Sequence, residues 1–151
     1  MKPVWMLTAI TMTLGLGSFA NCQGLSNRDQ LRIAVQQICP ISGQTLGSHG
    51  TPIKVKVGKE TVFLCCKGCL SGKISPQHWA TIHANMARAQ GICPVMKHKL
   101  PANPKWIIVE GQTVYVCCPP CTKKIAEQSQ RYLQIVDALY TKSLQTSENS
   151  D

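Results

Sequence analysis

Between residues 53 and 64 the chain alternates. Ile53, Val55 and Val57 are separated by Lys54 and Lys56, Gly58-Lys59 offers a tight turn, and 60–64 runs back through β-formers. Successive side chains of a strand point to opposite faces, so this alternation predicts a β-hairpin. The pattern returns over 106–109, turns at Glu110-Gly111 and runs back over 112–116. Elsewhere the period is helical. Ser75-Pro76 reads as an N-cap and first helical residue, predicting a helix to Gln90 that Gly91 stops. Ile125, Tyr132, Val136, Leu139 and Tyr140 recur near helical spacing and predict one long amphipathic helix over 122–144. A shorter helix is expected over 27–37 behind Ser26, and the polar residues 146–151 are expected to fray.

Residues 1–20 have a different character. Lys2 precedes an uncharged apolar run from Val4 to about Leu16, and Gly17-Ser18-Phe19-Ala20 places small residues at the −3 and −1 positions of a cut after Ala20. This is the layout of a secretory signal peptide. The run is too short and too rich in Thr to read as a membrane span. Membrane contact is expected only through an uncleaved signal or a lipidated Cys22, and Asn21 is not the small residue that lipidation requires. The expected location is therefore secreted or periplasmic, a compartment that permits disulfides.

From residue 37 onwards the sequence repeats itself. Cys39-Pro40-Ile41-Ser42 returns as Cys93-Pro94-Val95-Met96, and Cys65-Cys66-Lys67-Gly68-Cys69 returns as Cys117-Cys118-Pro119-Pro120-Cys121. Between them Leu46 matches Leu100, Pro52 matches Pro104, Val57 matches Val109, and Phe63 meets Tyr115. The organisation read from this is a signal over 1–20, a helical lead-in over 21–37, cysteine modules over 38–90 and 91–144, and a tail over 145–151. The expected fold class is α+β, two tandem modules of hairpin plus helix.

Composition sharpens the picture. The chain has 151 residues and a mass of 16.5 kDa, room for one ordinary domain or two small ones. Aromatic residues make up only 5%, so units this small need another source of stability, and nine cysteines point to disulfides or metal. The formal charge of +9 counts every thiol as neutral, so thiolate–metal clusters would absorb part of the excess. The positive charge is spread along the chain and export removes nucleic acid as a partner, which leaves an anionic surface or acidic protein as its use. No hydrolase, phosphate-binding or zinc-protease pattern is visible, so no enzyme is expected.

A lone Cys-x-x-Cys is a weak signal, but a distant Cys-Pro, a hairpin and a Cys-x-x-Cys entering a helix occur here twice. A knuckle and a helix start can bring three or four sulfurs about 2.3 Å from one ion, satisfying tetrahedral zinc, or monovalent copper with fewer thiolates. Helix N-termini favour thiolates, and Lys67, Lys73, Lys123 and Lys124 beside them act in the same sense. The candidate ligands are Cys39, Cys65, Cys66 and Cys69 in the first copy and Cys93, Cys117, Cys118 and Cys121 in the second, with about one Zn or Cu(I) ion per module. The doubled cysteine leaves two outcomes open. Neighbours on an extended strand point apart, so Cys66 joins Cys65 on one ion only where the strand has broken into a knuckle, and the same holds for Cys118 and Cys117. His49, Met96 and His98 are further nearby donors, whereas His78 and His83 are expected to pack on the first long helix.

The run Cys39-Pro40, a hairpin, and Phe63-Leu64-Cys65-Cys66-Lys67-Gly68-Cys69 resembles the YHS and TRASH class of small cysteine-rich domains, associated with heavy-metal sensing, resistance and transport. The resemblance covers about residues 37–142 and implies treble-clef-like modules, with Cys39, Cys65 and Cys69, and Cys93, Cys117 and Cys121, as core ligands. Two departures stand out. The Tyr-His-Ser signature is absent, and Cys66 and Cys118 stand where the class commonly has a non-ligand residue. The doubled cysteine is closer to a variant found in exported metal-efflux-related proteins, which implies a metal-efflux or other envelope protein as partner. The expected function is exported heavy-metal binding, with copper or zinc buffered, delivered or sensed. Its rivals are a metal- or disulfide-stabilised interaction scaffold and thiol–disulfide redox chemistry.

Overall fold

Ser26 starts the first helix by closing a capping box. Its hydroxyl accepts from the Asp29 N–H at 3.1 Å and the Asp29 carboxylate accepts from the Ser26 N–H at 3.3 Å, so two otherwise unpaired donors are satisfied. Helix α1 then runs over Asn27–Gln36. The structure is a computed structural model describing residues 25–148; the expected signal, Cys22 and the last three residues of the tail lie outside the described residues.

Both hairpins form in the expected register. Strands β1 (Ile53–Val57) and β2 (Glu60–Leu64) pair antiparallel, as do β3 (Lys105–Val109) and β4 (Gln112–Val116), in two separate two-stranded sheets. A two-stranded sheet is marginal alone and needs packing on one face. The returning strands provide that face, since every residue of β2 and β4 is buried. Helix α2 occupies Pro76–Gln90 between the hairpins, capped by the Ser75 side chain and ended by Gly91 at φ 60°.

The single helix expected over 122–144 is two helices. Helix α3 begins at Pro119, ends at Glu127, and breaks at Gln128 (φ −134°, ψ 50°), whose N–H is shared between the carbonyls of Lys124 and Ile125. Helix α4 follows over Ser129–Glu148, so residues 146–148 continue the helix rather than fray. Tertiary packing explains the break. Ile125 must face the second hairpin, while Leu133, Val136 and Tyr140 must face α1 and α2, and a straight rod cannot turn one apolar stripe to both.

The result is a small α+β fold in which the four helices and the second hairpin share one core. Val35 of α1, Ile82 and Met86 of α2, Val114 and Val116 of β4, Ile125 of α3, and Leu133, Val136 and Tyr140 of α4 form the large apolar cluster. A smaller cluster in the first copy consists of Leu64 with Cys39, Cys65 and Cys69. The returning strand of the first hairpin also meets the turn of the second. The Thr61 N–H donates to the Gly111 carbonyl at 2.8 Å, and buried Arg32 donates to the carbonyls of Thr61 (2.6 Å) and Gly111 (3.0 Å). Beside this junction the Thr113 hydroxyl donates to the buried Glu60 carboxylate at 2.6 Å.

Candidate metal centres

Each copy presents its first cysteine on the same tight loop. Helix α1 ends in a γ-turn, with the Ile38 N–H bonded to the Gln36 carbonyl at 2.8 Å. Ile38 then bridges to Thr45, the Cys39 N–H donates to the Gln44 carbonyl (2.8 Å), and the Gly43 N–H donates back to the Cys39 carbonyl (2.9 Å). The second copy repeats every bond. Ile92 bridges to Lys99, the Cys93 N–H reaches the His98 carbonyl (2.8 Å), and the Lys97 N–H reaches the Cys93 carbonyl (2.8 Å). Gly43 takes φ 73° under the His78 ring, where a β-carbon would lie 2.7 Å from Nε2. Lys97, with φ 58°, fills that left-handed position in the second copy.

The other cysteines lie just past the ends of β2 and β4. Because β2 stops at Leu64 and β4 at Val116, the doubled cysteines are no longer held to opposite faces of a sheet. Cys65 and Cys66 sulfurs are 3.9 Å apart, Cys65 and Cys69 3.7 Å, and Cys66 and Cys69 4.0 Å. In the second copy Cys117 and Cys118 are 3.8 Å apart, Cys118 and Cys121 3.1 Å, and Cys93 and Cys121 3.9 Å. Sulfurs about 2.3 Å from a common ion lie about 3.8 Å apart in a tetrahedron and about 4.0 Å apart in a triangle. Most of these separations match. The sulfurs of Cys39, Cys65 and Cys69, and those of Cys93, Cys117 and Cys121, all fall within 4.8 Å of one another, so each cluster could hold a metal ion. Cys66 and Cys118 bring a fourth sulfur beside each trio. The eight cysteines among the described residues form no disulfide with one another.

The electrostatics of the two loops favour thiolate at the first cysteine. Burial pushes the Cys39 thiol up, but the Ser42 hydroxyl and the backbone N–H groups of Ser42, Cys65 and Ile41 outweigh it and bring it down to about 6. Cys93 is held below the usual thiol range against burial by the N–H groups of Met96, Cys117 and Val95. Burial and the neighbouring sulfurs of Cys65 and Cys39 push Cys69 up to about 12, and burial with Cys118 and Cys93 raises Cys121 likewise. A thiolate thus sits beside thiols that a metal ion would have to deprotonate.

The remaining expected donors lie outside the trios. His49, Met96 and His98 are exposed. His78 packs over Gly43, and His83 on α2 sits 2.7 Å from the Tyr115 hydroxyl and 3.4 Å from Glu60, so both serve packing as expected. Lys67, Lys73, Lys123 and Lys124 are exposed.

Two residues that spacing arguments passed over stand behind the clusters. Gln36 and Gln90 are 2% and 1% exposed, and each spends its whole amide on the backbone of its own site. A signal for them does exist in Gln36-Gln37-Ile38-Cys39-Pro40 and Gln90-Gly91-Ile92-Cys93-Pro94, where the repeat begins earlier than the matched cysteines suggest.

Against this geometry, comparison with protein-family models, curated proteins and solved structures finds no match. The chemistry of the site therefore rests on its own donor set. Clustered soft sulfurs at metal-binding separation suit zinc or monovalent copper.

Proposed function

We propose that this chain is an exported heavy-metal-binding protein that buffers, delivers or senses zinc or monovalent copper, with about one ion held in each copy. The observation that carries the reading is the second construction of the same sulfur cluster on the same loop, hairpin and turn, with sulfurs spaced as ligands of one ion. Apolar packing alone has no need of cysteine at four matched positions twice over. The ligand sets are Cys39, Cys65 and Cys69 with Cys66, and Cys93, Cys117 and Cys121 with Cys118. The resemblance to YHS and TRASH domains supports the same reading.

A transfer role draws support from the surface. Of the five large apolar side chains exposed among the described residues, Leu70 and Ile74 follow Cys69 closely, and Ile92 and Met96 flank Cys93. Apolar residues at the rim of a metal site suit brief docking of a partner that takes the ion, here an envelope or metal-efflux protein rather than nucleic acid. A catalytic role has no comparable support.

Elemental analysis of the mature protein, isolated from its native compartment without reductant and paired with a free-thiol count, tests the proposal. About two ions per chain, with thiols shielded until a chelator is added, is the expected result. Four internal disulfides and no metal would instead make the chain an oxidised scaffold.

A further inference from the structure

The two buried glutamines extend the metal-binding reading and rest on it. Gln36 Nε2 donates to the Ile38 carbonyl at 2.9 Å and to the Phe63 carbonyl at 2.7 Å, while its Oε1 accepts from the Phe63 N–H at 2.9 Å. Gln90 repeats this with the Ile92 carbonyl (3.0 Å), the Tyr115 carbonyl (2.7 Å) and the Tyr115 N–H (3.0 Å). Ile38 and Ile92 immediately precede the first cysteine of each cluster, and Phe63 and Tyr115 stand two residues before the doubled cysteines. One side chain therefore fixes both backbone segments whose spacing decides whether the sulfurs meet.

We propose that Gln36 and Gln90 are positioning residues of the two metal centres, each amide clasping the first-cysteine loop to the end of the returning strand. The amide acts as a short extra strand, meeting the outward N–H and C=O of one residue at once. It also bonds the segment leading into Cys39 or Cys93, so that loop and strand move together. Outer partners that orient a metal site change its affinity by about 10–100-fold when removed.

The assignment crosses the order of the chain. Helix α2 leaves the first cluster in sequence, yet its last residue, Gln90, serves the second. Each working unit is thus a helix followed by its Cys-Pro loop and hairpin, α1 with the first and α2 with the second.

The test uses cobalt(II) as a zinc probe on the mature full-length chain, reading thiolate-to-cobalt charge-transfer absorption and affinity. In a Cys121→Ser background, which isolates the first cluster, Gln36→Met should weaken cobalt binding at least about tenfold and alter the spectrum, while Gln90→Met leaves both unchanged. In a Cys69→Ser background the two effects should exchange. Gln36→Glu and Gln90→Glu keep the acceptor but lose the donated bonds, so they should fall between wild type and the Met variants. They also serve where a Met variant does not fold, as judged by its helical circular dichroism. The proposal is overturned if the glutamine variants leave cobalt binding intact, or if each weakens both clusters equally, as a general loss of stability would. Absence of any cobalt–thiolate absorption in the wild-type protein would instead remove the metal-binding reading itself, and this inference with it.

Discussion

The backbone N–H of Thr61 donates to the carbonyl of Gly111 at 2.8 Å, joining the returning strand of the first hairpin to the turn of the second. The carbonyls of Thr61 and Gly111 in turn share the guanidinium of Arg32, so two copies of one motif meet around a single buried cation.

This junction should be intolerant of change. A β-carbon at Gly111 would lie 2.4 Å from the Thr61 hydroxyl oxygen, on a backbone at φ 77° that side chains adopt only with strain. Gly111→Ala should cost more than about 2 kcal/mol in urea unfolding. Arg32→Met takes the arginine donor from the buried Thr61 carbonyl and leaves the Gly111 carbonyl with the Thr61 N–H alone, and should cost about 1–3 kcal/mol. A loss under 0.5 kcal/mol from either, on the scale typical of surface substitutions, would show that the junction is dispensable.

The two clusters should respond differently to loss of a cysteine. Cys39, Cys65 and Cys69 make up most of a small separate core, whereas Cys93 and Cys121 belong to the core shared by all four helices. Cys69→Ser should speed hydrogen exchange over about residues 53–72 and hardly move the main unfolding transition. Cys121→Ser should lower the transition temperature of the whole chain, as differential scanning calorimetry will show.

Acid should release metal from the first cluster in two regimes. Above about pH 6 Cys39 is already a thiolate, so binding need not displace its proton. Below that, its proton must also leave, and the slope of log affinity against pH should steepen by one. Cys69, pushed up to about 12, contributes its proton across the whole range. Ser42→Ala removes a hydroxyl that holds Cys39 down, so the break should move to higher pH in a zinc competition assay.

A stabilising change is available at Gln37. It sits at the centre of the γ-turn with φ 66°, where the second copy has Gly91 at φ 60°. Gln37→Gly should relieve the left-handed strain and raise stability by about 0.5–1 kcal/mol, at the loss of one exposed hydrogen bond from Asn85 at 3.2 Å. Thermal unfolding will register the gain.

Several features were legible without coordinates. Both hairpins, their turns at Gly58-Lys59 and Glu110-Gly111, and the bounds of α2 follow from local alternation and capping, which act within a few residues. The repeat pointed to two four-cysteine groups, and the resemblance to the YHS and TRASH class implied the trios Cys39, Cys65 and Cys69, and Cys93, Cys117 and Cys121, that the structure brings together. The break at Gln128 was not, since neither Gly nor Pro marks it and the cause is the different faces that Ile125 and Leu133 must bury.

The sequence by itself determined the two hairpins, the first two helices and the duplication, because turn chemistry, capping and side-chain period are written into neighbouring residues. Only the tertiary structure decided which helix serves which cluster, that Gln36 and Gln90 stand behind the sulfurs, and that Arg32 closes the two copies on each other. Those choices depend on contacts between residues 25 or more positions apart, and such contacts exist only once the shared core has brought the helices together.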